Sequence, residues 1–197
     1  MTPATLAAPR TDPHEAAAAA ARFAAAAAPD VRYAVLDTPA GRVVGAVTER
    51  GLVRLAYEDW NGGEDAVVAR LAERLSPRIL RQPPALDRVA RELDEYFAGR
   101  RTSFDLPIDW ALVTPFARRV LRATARIPYG AVATYGEVAA GAGSPGGSRA
   151  AGNALGSNPV PIVVPCHRVV RSGGALGGYT GGIERKELLL GLERTVR

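Results

Sequence analysis

A chain of 197 residues, 47% of them hydrophobic, can bury the core of one or two packed domains. Its single cysteine, Cys166, excludes an intrachain disulfide framework and a cysteine-cluster zinc site, and suits a reducing compartment. A formal charge of +5 permits a polyanionic partner, while the lack of a membrane-length apolar run or a secretory leader pattern points to a cytoplasmic protein.

Residues 1–30 are low in complexity, with alanine dominating from Ala16 to Ala28. Alanine favours helix, but the stretch has no apolar stripe to bury, so a frayed helix or a disordered tail is expected. From Val31 the pattern turns strand-like. Tyr33–Asp37, Val43–Thr48 and Leu52–Tyr57 are short, rich in β-branched residues and separated by Gly-containing turns, which predicts an antiparallel meander. Helices are expected over Asp65–Leu75 and Leu86–Phe97. In the second, Leu86, Val89, Ala90, Leu93, Tyr96 and Phe97 recur at three- and four-residue spacing. An extended connector around Pro107 ends this N-terminal domain, residues 31–110.

The C-terminal domain, residues 111–197, begins with Thr114-Pro115, an N-cap followed by proline at the first helical position. A helix over Phe116–Ile127 should stop before Pro128. Thr134-Tyr135-Gly136-Glu137 fits a capping box, Gly141 to Gly147 a tight turn, and Ser148 the cap of a third helix to about Leu155. Helix, glycine turn and helix give a helix-turn-helix outline. Residues 168–180 resemble a wing-like hairpin, and a last helix spans about Ile183–Glu193. All but one of the 25 basic residues are arginine, Lys186 being the exception, which accords with a GC-rich coding bias. Position says more. Between Pro115 and Arg171 stand Arg118, Arg119, Arg122, Arg126, Arg149, Arg168 and Arg171 against one acid, Glu137, as on a nucleic-acid face.

Cys166 is reached through Asn158-Pro159-Val160-Pro161-Ile162-Val163-Val164-Pro165, whose three prolines fix φ and remove three donors. His167 follows at once. Neighbouring strand side chains point to opposite faces, so a thiol–imidazole or water-bridged contact requires a turn, which Pro165 could begin. A reactive thiol needs such a base, because a free thiol is only a few per cent ionised at neutral pH. A buried, inert cysteine is the competing reading. Glu193, three and four residues beyond Leu190 and Leu189, falls on a mainly apolar helix face and is a candidate to orient the imidazole; a frayed surface charge is the alternative.

The block Pro165-Cys166-His167-Arg168-Val169 closely resembles the O6-alkylguanine-DNA alkyltransferase family. So do Ile127-Pro128-Tyr129-Gly130, Thr134-Tyr135-Gly136-Glu137, Ser148-Arg149-Ala150-Ala151-Gly152 and Gly178-Tyr179-Thr180-Gly181-Gly182, in the family's order. The resemblance runs from about Val31 to Arg194. It implies an α+β fold with a small antiparallel, ribonuclease-H-like N-terminal domain and a winged helix-turn-helix C-terminal domain. It also implies direct, irreversible, single-turnover transfer of an alkyl group from O6-alkylguanine in duplex DNA to Cys166. His167 would activate the thiol through a water, Glu193 would orient the imidazole, and Tyr135 would donate toward guanine N3. Asn158 would bridge the recognition helix to the active-site turn. Tyr179, Thr180, Val169, Val164 and Pro161 would form the base pocket. Arg149 would enter the minor groove and fill the space of the flipped base, with Ser148, Ala150, Ala151, Gly152 and Tyr135 against the DNA. The implied partner is double-stranded DNA containing O6-alkylguanine, bound by a monomer that could assemble cooperatively. No cofactor or metal is implied, since His14 is the only histidine before His167 and no cysteine-rich regulatory domain is present. A lesion-binding module with a silent thiol, and a Cys-His hydrolase, are the other classes the residues allow.

Overall fold

The computed structural model describes Glu15 and residues 28–195, so the expectation for the alanine-rich segment lies almost wholly outside the described residues. Strands β1 (Val31–Leu36), β2 (Val43–Thr48) and β3 (Gly51–Tyr57) form the meander. Tyr33 pairs with Ala46, and Gly45 with Leu55, both antiparallel. The sheet is nevertheless mixed. After helix α1 (Gly63–Arg74), a three-residue strand β4 (Ile79–Arg81) lies parallel to β1, giving the order β3-β2-β1-β4. The expected purely antiparallel sheet is thus corrected. A parallel neighbour needs a crossover, and α1 supplies it. Ile79-Leu80-Arg81 is too short to show a period of its own.

Alternation along the strands divides the sheet's side chains between two cores. Val31, Val44, Ala46, Val53 and Ala56 pack with Val67 and Leu71 of α1. Ala34, Val43, Leu52, Leu55 and Tyr57 face the other way, against Val89, Leu93 and Tyr96 of α2 (Asp87–Phe97) and the C-terminal half. This shared apolar layer joins the two halves, each Å² removed from water contributing roughly 25 cal/mol. The outer edge of β3 does not end in open donors and acceptors. Leu52 N donates to Pro107 O (2.8 Å), Asp109 N to Leu52 O (2.9 Å) and Leu55 N to Pro159 O (2.8 Å). The edge is covered by the connector and by the segment leading to Cys166.

The C-terminal half is built on α3 (Pro115–Thr124), α4 (Tyr135–Gly141), α5 (Ser148–Gly156) and α6 (Ile183–Thr195). Thr114 Oγ1 accepts from Ala117 N at 3.3 Å, as its position before Pro115 predicts. The capping box at α4 is complete: Glu137 N donates to Thr134 Oγ1 at 3.2 Å, and Thr134 N donates to the Glu137 carboxylate at 2.6 Å. Two expectations fail here. Ser148 is the first helical residue of α5 rather than its cap, which is Gly147 with no side-chain bond. The wing-like hairpin over 168–180 is not built of paired strands. Strand β6 (Val169–Val170) pairs in parallel with β5 (Ala133–Thr134), and the glycine-rich residues 171–182 follow as turns and loop. Beyond β6 the chain reverses through a turn in which Arg171 N donates to Ala175 O at 2.7 Å, but no paired strand follows.

Candidate active site and DNA-facing helix

The proline-rich approach to Cys166 is rigid and strained. Ile162 is β-branched and buried, yet holds φ = 72°, a conformation that costs on the order of 1–3 kcal/mol. Val164 N closes the loop onto Val160 O at 2.9 Å, and Leu55 anchors Pro159. Asn158 completes the frame: its Nδ2 donates to Val164 O (2.9 Å) and lies 3.2 Å from Cys166 Sγ, while Oδ1 accepts from Val160 N (3.1 Å). Asn158 thereby ties the end of α5 to the thiol.

Pro165 caps a single 3-10 turn, Cys166–Arg168, which supplies the predicted break from strand geometry. Cys166 is 5% exposed and opens onto a cavity of about 900 Å³, large enough for a purine. Burial pushes the thiol's pKa up to about 11, against the hydrogen bond from Asn158 and the charge of Lys186. Few thiols are then ionised at neutral pH, so deprotonation must accompany reaction. His167 is wholly buried, and its Nε2 lies 2.8 Å from Glu193 Oε1. Burial lowers the imidazole pKa, with Glu193 opposing the shift in part. Burial by itself would raise the Glu193 pKa, but hydrogen bonds from His167 and Arg168 outweigh it and hold the group near 2. An ionised acceptor requires Nε2 to carry the proton, leaving a lone pair on Nδ1, which no protein group satisfies among the described residues. Glu193, 1% exposed, is an internal partner, not a frayed surface charge.

Arg168 belongs to this network, not to the surface. Its Nε and Nη2 reach the Glu193 oxygens at 2.9 and 2.8 Å, and Nη1 donates to Ile127 O at 2.6 Å. Counting it among DNA-facing charges is therefore corrected; bidentate pairing with a buried carboxylate outcompetes exposure. Lys186 is also buried, and donates to Val169 O (2.6 Å) and Leu176 O. Its role was not apparent from sequence, although a lone lysine amid arginines was a signal.

Tyr135, Ser148, Arg149, Gly152, Tyr179 and Thr180 line the cavity with Cys166, on elements far apart in sequence. Tyr135 is half-buried at the start of α4; burial raises its pKa, so it remains a donor at neutral pH. The Tyr179 hydroxyl lies 3.0 Å from that of Tyr57 on β3. Gly181, at φ = 113°, fits only because it lacks a side chain: a Cβ there would meet the Tyr57 ring at 2.5 Å. Arg149 and Ala150 are exposed on the first turn of α5, whereas Ala151 is fully buried in the core and presents no side chain outward. Pro161, Val164 and Val169 are buried and do not line the cavity. Sequence reasoning missed Trp60, Leu155, Gly156 and Ser172 as lining residues, and had named Arg171 only as part of the basic cluster. Trp60 sits on a 3-10 turn of the N-terminal half, where no periodic pattern marks it.

Two family models divide the chain: the ribonuclease-like domain of 6-O-methylguanine DNA methyltransferase matches residues 31–110, and its DNA-binding domain residues 115–195. The chain belongs to this methyltransferase family. It is 40% identical over 164 residues to a methylated-DNA–protein-cysteine methyltransferase of Mycolicibacterium paratuberculosis, covering 83% of this chain and 93% of that protein. The crystal structure of Mycobacterium tuberculosis O6-methylguanine methyltransferase superposes with a TM-score of 0.73 at 37% identity, over 85% of this chain and 94% of the other. The same organism's OGT in complex with DNA gives 0.73 at 38% identity, over 84% and 94%. Membership in the methyltransferase family and the α+β architecture thus rest on both sequence and fold. No helix among the described residues is long and apolar enough to cross a membrane.

Proposed function

We propose that this protein repairs duplex DNA by moving the alkyl group of O6-alkylguanine onto Cys166, once per molecule. Alkyl transfer from DNA to a protein cysteine is the activity for which the family is named. The carrying observation is a nearly buried thiol at the floor of a purine-sized cavity, with Arg149 on its rim. In the reaction an S–C bond forms as the C–O6 bond breaks. The bonding pair stays on the purine, which gains one proton to become guanine. The thiol proton leaves through a water to His167 Nδ1, the lone pair directed by the Nε2–Glu193 contact. Tyr135 donates toward the purine as charge develops. A thioether carbon is a poor electrophile with a poor leaving group, so each molecule acts once.

A paired base cannot reach a thiol at the bottom of a cavity, so the target nucleotide rotates out of the stack. Arg149, which is exposed at the start of α5, enters the minor groove in this reading and occupies the vacated space. The protein acts as a monomer in the cytoplasm, where reducing conditions preserve its only thiol. The test is peptide mass analysis after mixing with O6-methylguanine duplex. One added methyl on the Cys166 peptide is expected; an unmodified peptide despite binding overturns the reading. Arg118, Arg122, Arg126, Arg149 and Arg171 are all exposed, so affinity for undamaged duplex should fall steeply with added salt. Titration at several salt concentrations checks this, and a flat profile would rule out a phosphate-tracking surface.

A further inference from the structure

We infer that Tyr96, on α2 of the N-terminal half, is a positioning residue of the proton relay, holding Glu193 so that His167 presents Nδ1 as the base. The inference rests on the alkyl-transfer reading above and assigns the N-terminal half a part in the chemistry. The Tyr96 hydroxyl donates to Glu193 Oε1 at 2.8 Å, the same oxygen that His167 Nε2 approaches at 2.8 Å. Gly130 N reaches Oε2 at 3.2 Å, and Arg168 spans both oxygens. The carboxylate is thus bounded on every side, and Tyr96 is its one donor from the N-terminal half among the described contacts.

The ring of Tyr96 is fully buried and meets Phe97, Phe104 and Tyr129 at centroid separations of 5.3, 5.2 and 6.1 Å. Aromatic packing alone would be served as well by phenylalanine. A hydroxyl at that depth needs a partner, and its partner is the relay carboxylate. Tyrosine has a single hydroxyl proton, and with Glu193 ionised that proton must point at Oε1. Burial, followed by the charge of Glu193, raises the phenol pKa, so it stays a donor throughout the working range. With Tyr96, His167 and Arg168 all donating to Oε1, the carboxylate stays ionised and is a poor proton acceptor. Glu193 therefore orients and stabilises, while His167 keeps its Nε2 proton and accepts at Nδ1.

The groups facing this pair are Arg168 and Tyr129 around Glu193, and Lys186, Cys166 and the Tyr179 ring (6.3 Å between centroids) around His167. None of them replaces the Tyr96 hydroxyl. Removing it leaves more uncompensated negative charge beside His167, which stabilises the imidazolium. The base then becomes protonated, and inactive, at a higher pH than in the unaltered protein.

The test uses the full chain carrying Tyr96→Phe, which keeps the ring and its packing. Single-turnover transfer from O6-methylguanine duplex is measured across pH 5–8, together with 15N signals of the His167 imidazole; His14 is the only other histidine. The acid limb is expected to move up by about half a pH unit or more, with a roughly threefold or greater loss of rate on that limb, as for loss of one hydrogen bond to a charged acceptor. The imidazole titration should move with it. An unchanged limb and imidazole titration overturn the inference, whatever happens to thermal stability, because packing alone moves neither. If Cys166 of the unaltered protein takes up no methyl, it is the alkyl-transfer reading that fails, and this result is read separately from the variant's imidazole signals.

Discussion

Cys166→Ser is expected to abolish alkyl transfer to below detection while leaving affinity for O6-methylguanine duplex within about twofold. A serine hydroxyl is nearly isosteric but a far weaker nucleophile, and His167, with its pKa lowered by burial, cannot deprotonate it to a useful extent. The Asn158 Nδ2 contact survives, since oxygen accepts that hydrogen bond as well as sulfur, so the frame around Val164 stays intact. Stoichiometric transfer is read by peptide mass, and binding by titration with labelled duplex. Residual transfer at one methyl per protein would mean that another nucleophile does the work. A loss of binding in parallel would mean that the thiol holds the fold, the inert-cysteine reading raised by its burial.

Arg149→Ala is expected to slow repair of duplex DNA by about a hundredfold, and reaction with free O6-benzylguanine by about twofold at most. Extruding a base costs a few kcal/mol, and each ~1.4 kcal/mol lost from a transition state is a factor of about ten in rate. The free base meets Cys166 without that cost. Arg149 is exposed on the rim and touches neither the thiol nor Glu193, so its removal leaves the proton relay whole. Rates on the two substrates, measured side by side, give the answer. Equal losses on both would remove Arg149 from base extrusion and make it a support of the cavity.

Local signals carried much of this architecture, and they did so where one physical cause acts over a few residues. Thr114-Pro115 and Thr134-x-x-Glu137 satisfy helix-end donors with their own side chains, so both helix starts could be read. The strands Val43–Thr48 and Gly51–Tyr57 followed from β-branched runs between glycine turns. Legibility failed where the deciding partner is remote. Strand β4 exists because α1 carries the chain back to β1. The expected hairpin of the wing is reduced to a turn closed between Arg171 and Ala175, while Val169–Val170 pairs with Ala133–Thr134, more than thirty residues earlier. Ser148 has the chemistry of a cap, yet Gly147 takes that position and Ser148 enters the helix.

The amino-acid order by itself determined that one thiol is delivered by a stiff proline segment, with an imidazole next to it and a basic helical pair before it. Those are properties of neighbours along the chain, where φ restriction, capping and helical periodicity operate without help. Which groups meet was decided only by tertiary packing. Arg168 looks like a surface cation in sequence and becomes a buried clamp on Glu193 because desolvating that carboxylate demands a guanidinium beside it. Tyr96 and Tyr57 look like apolar core residues, and their rings are. Their hydroxyls reach Glu193 and Tyr179 because the sheet's shared core presses the two halves together, a contact between positions about a hundred residues apart that no local pattern encodes.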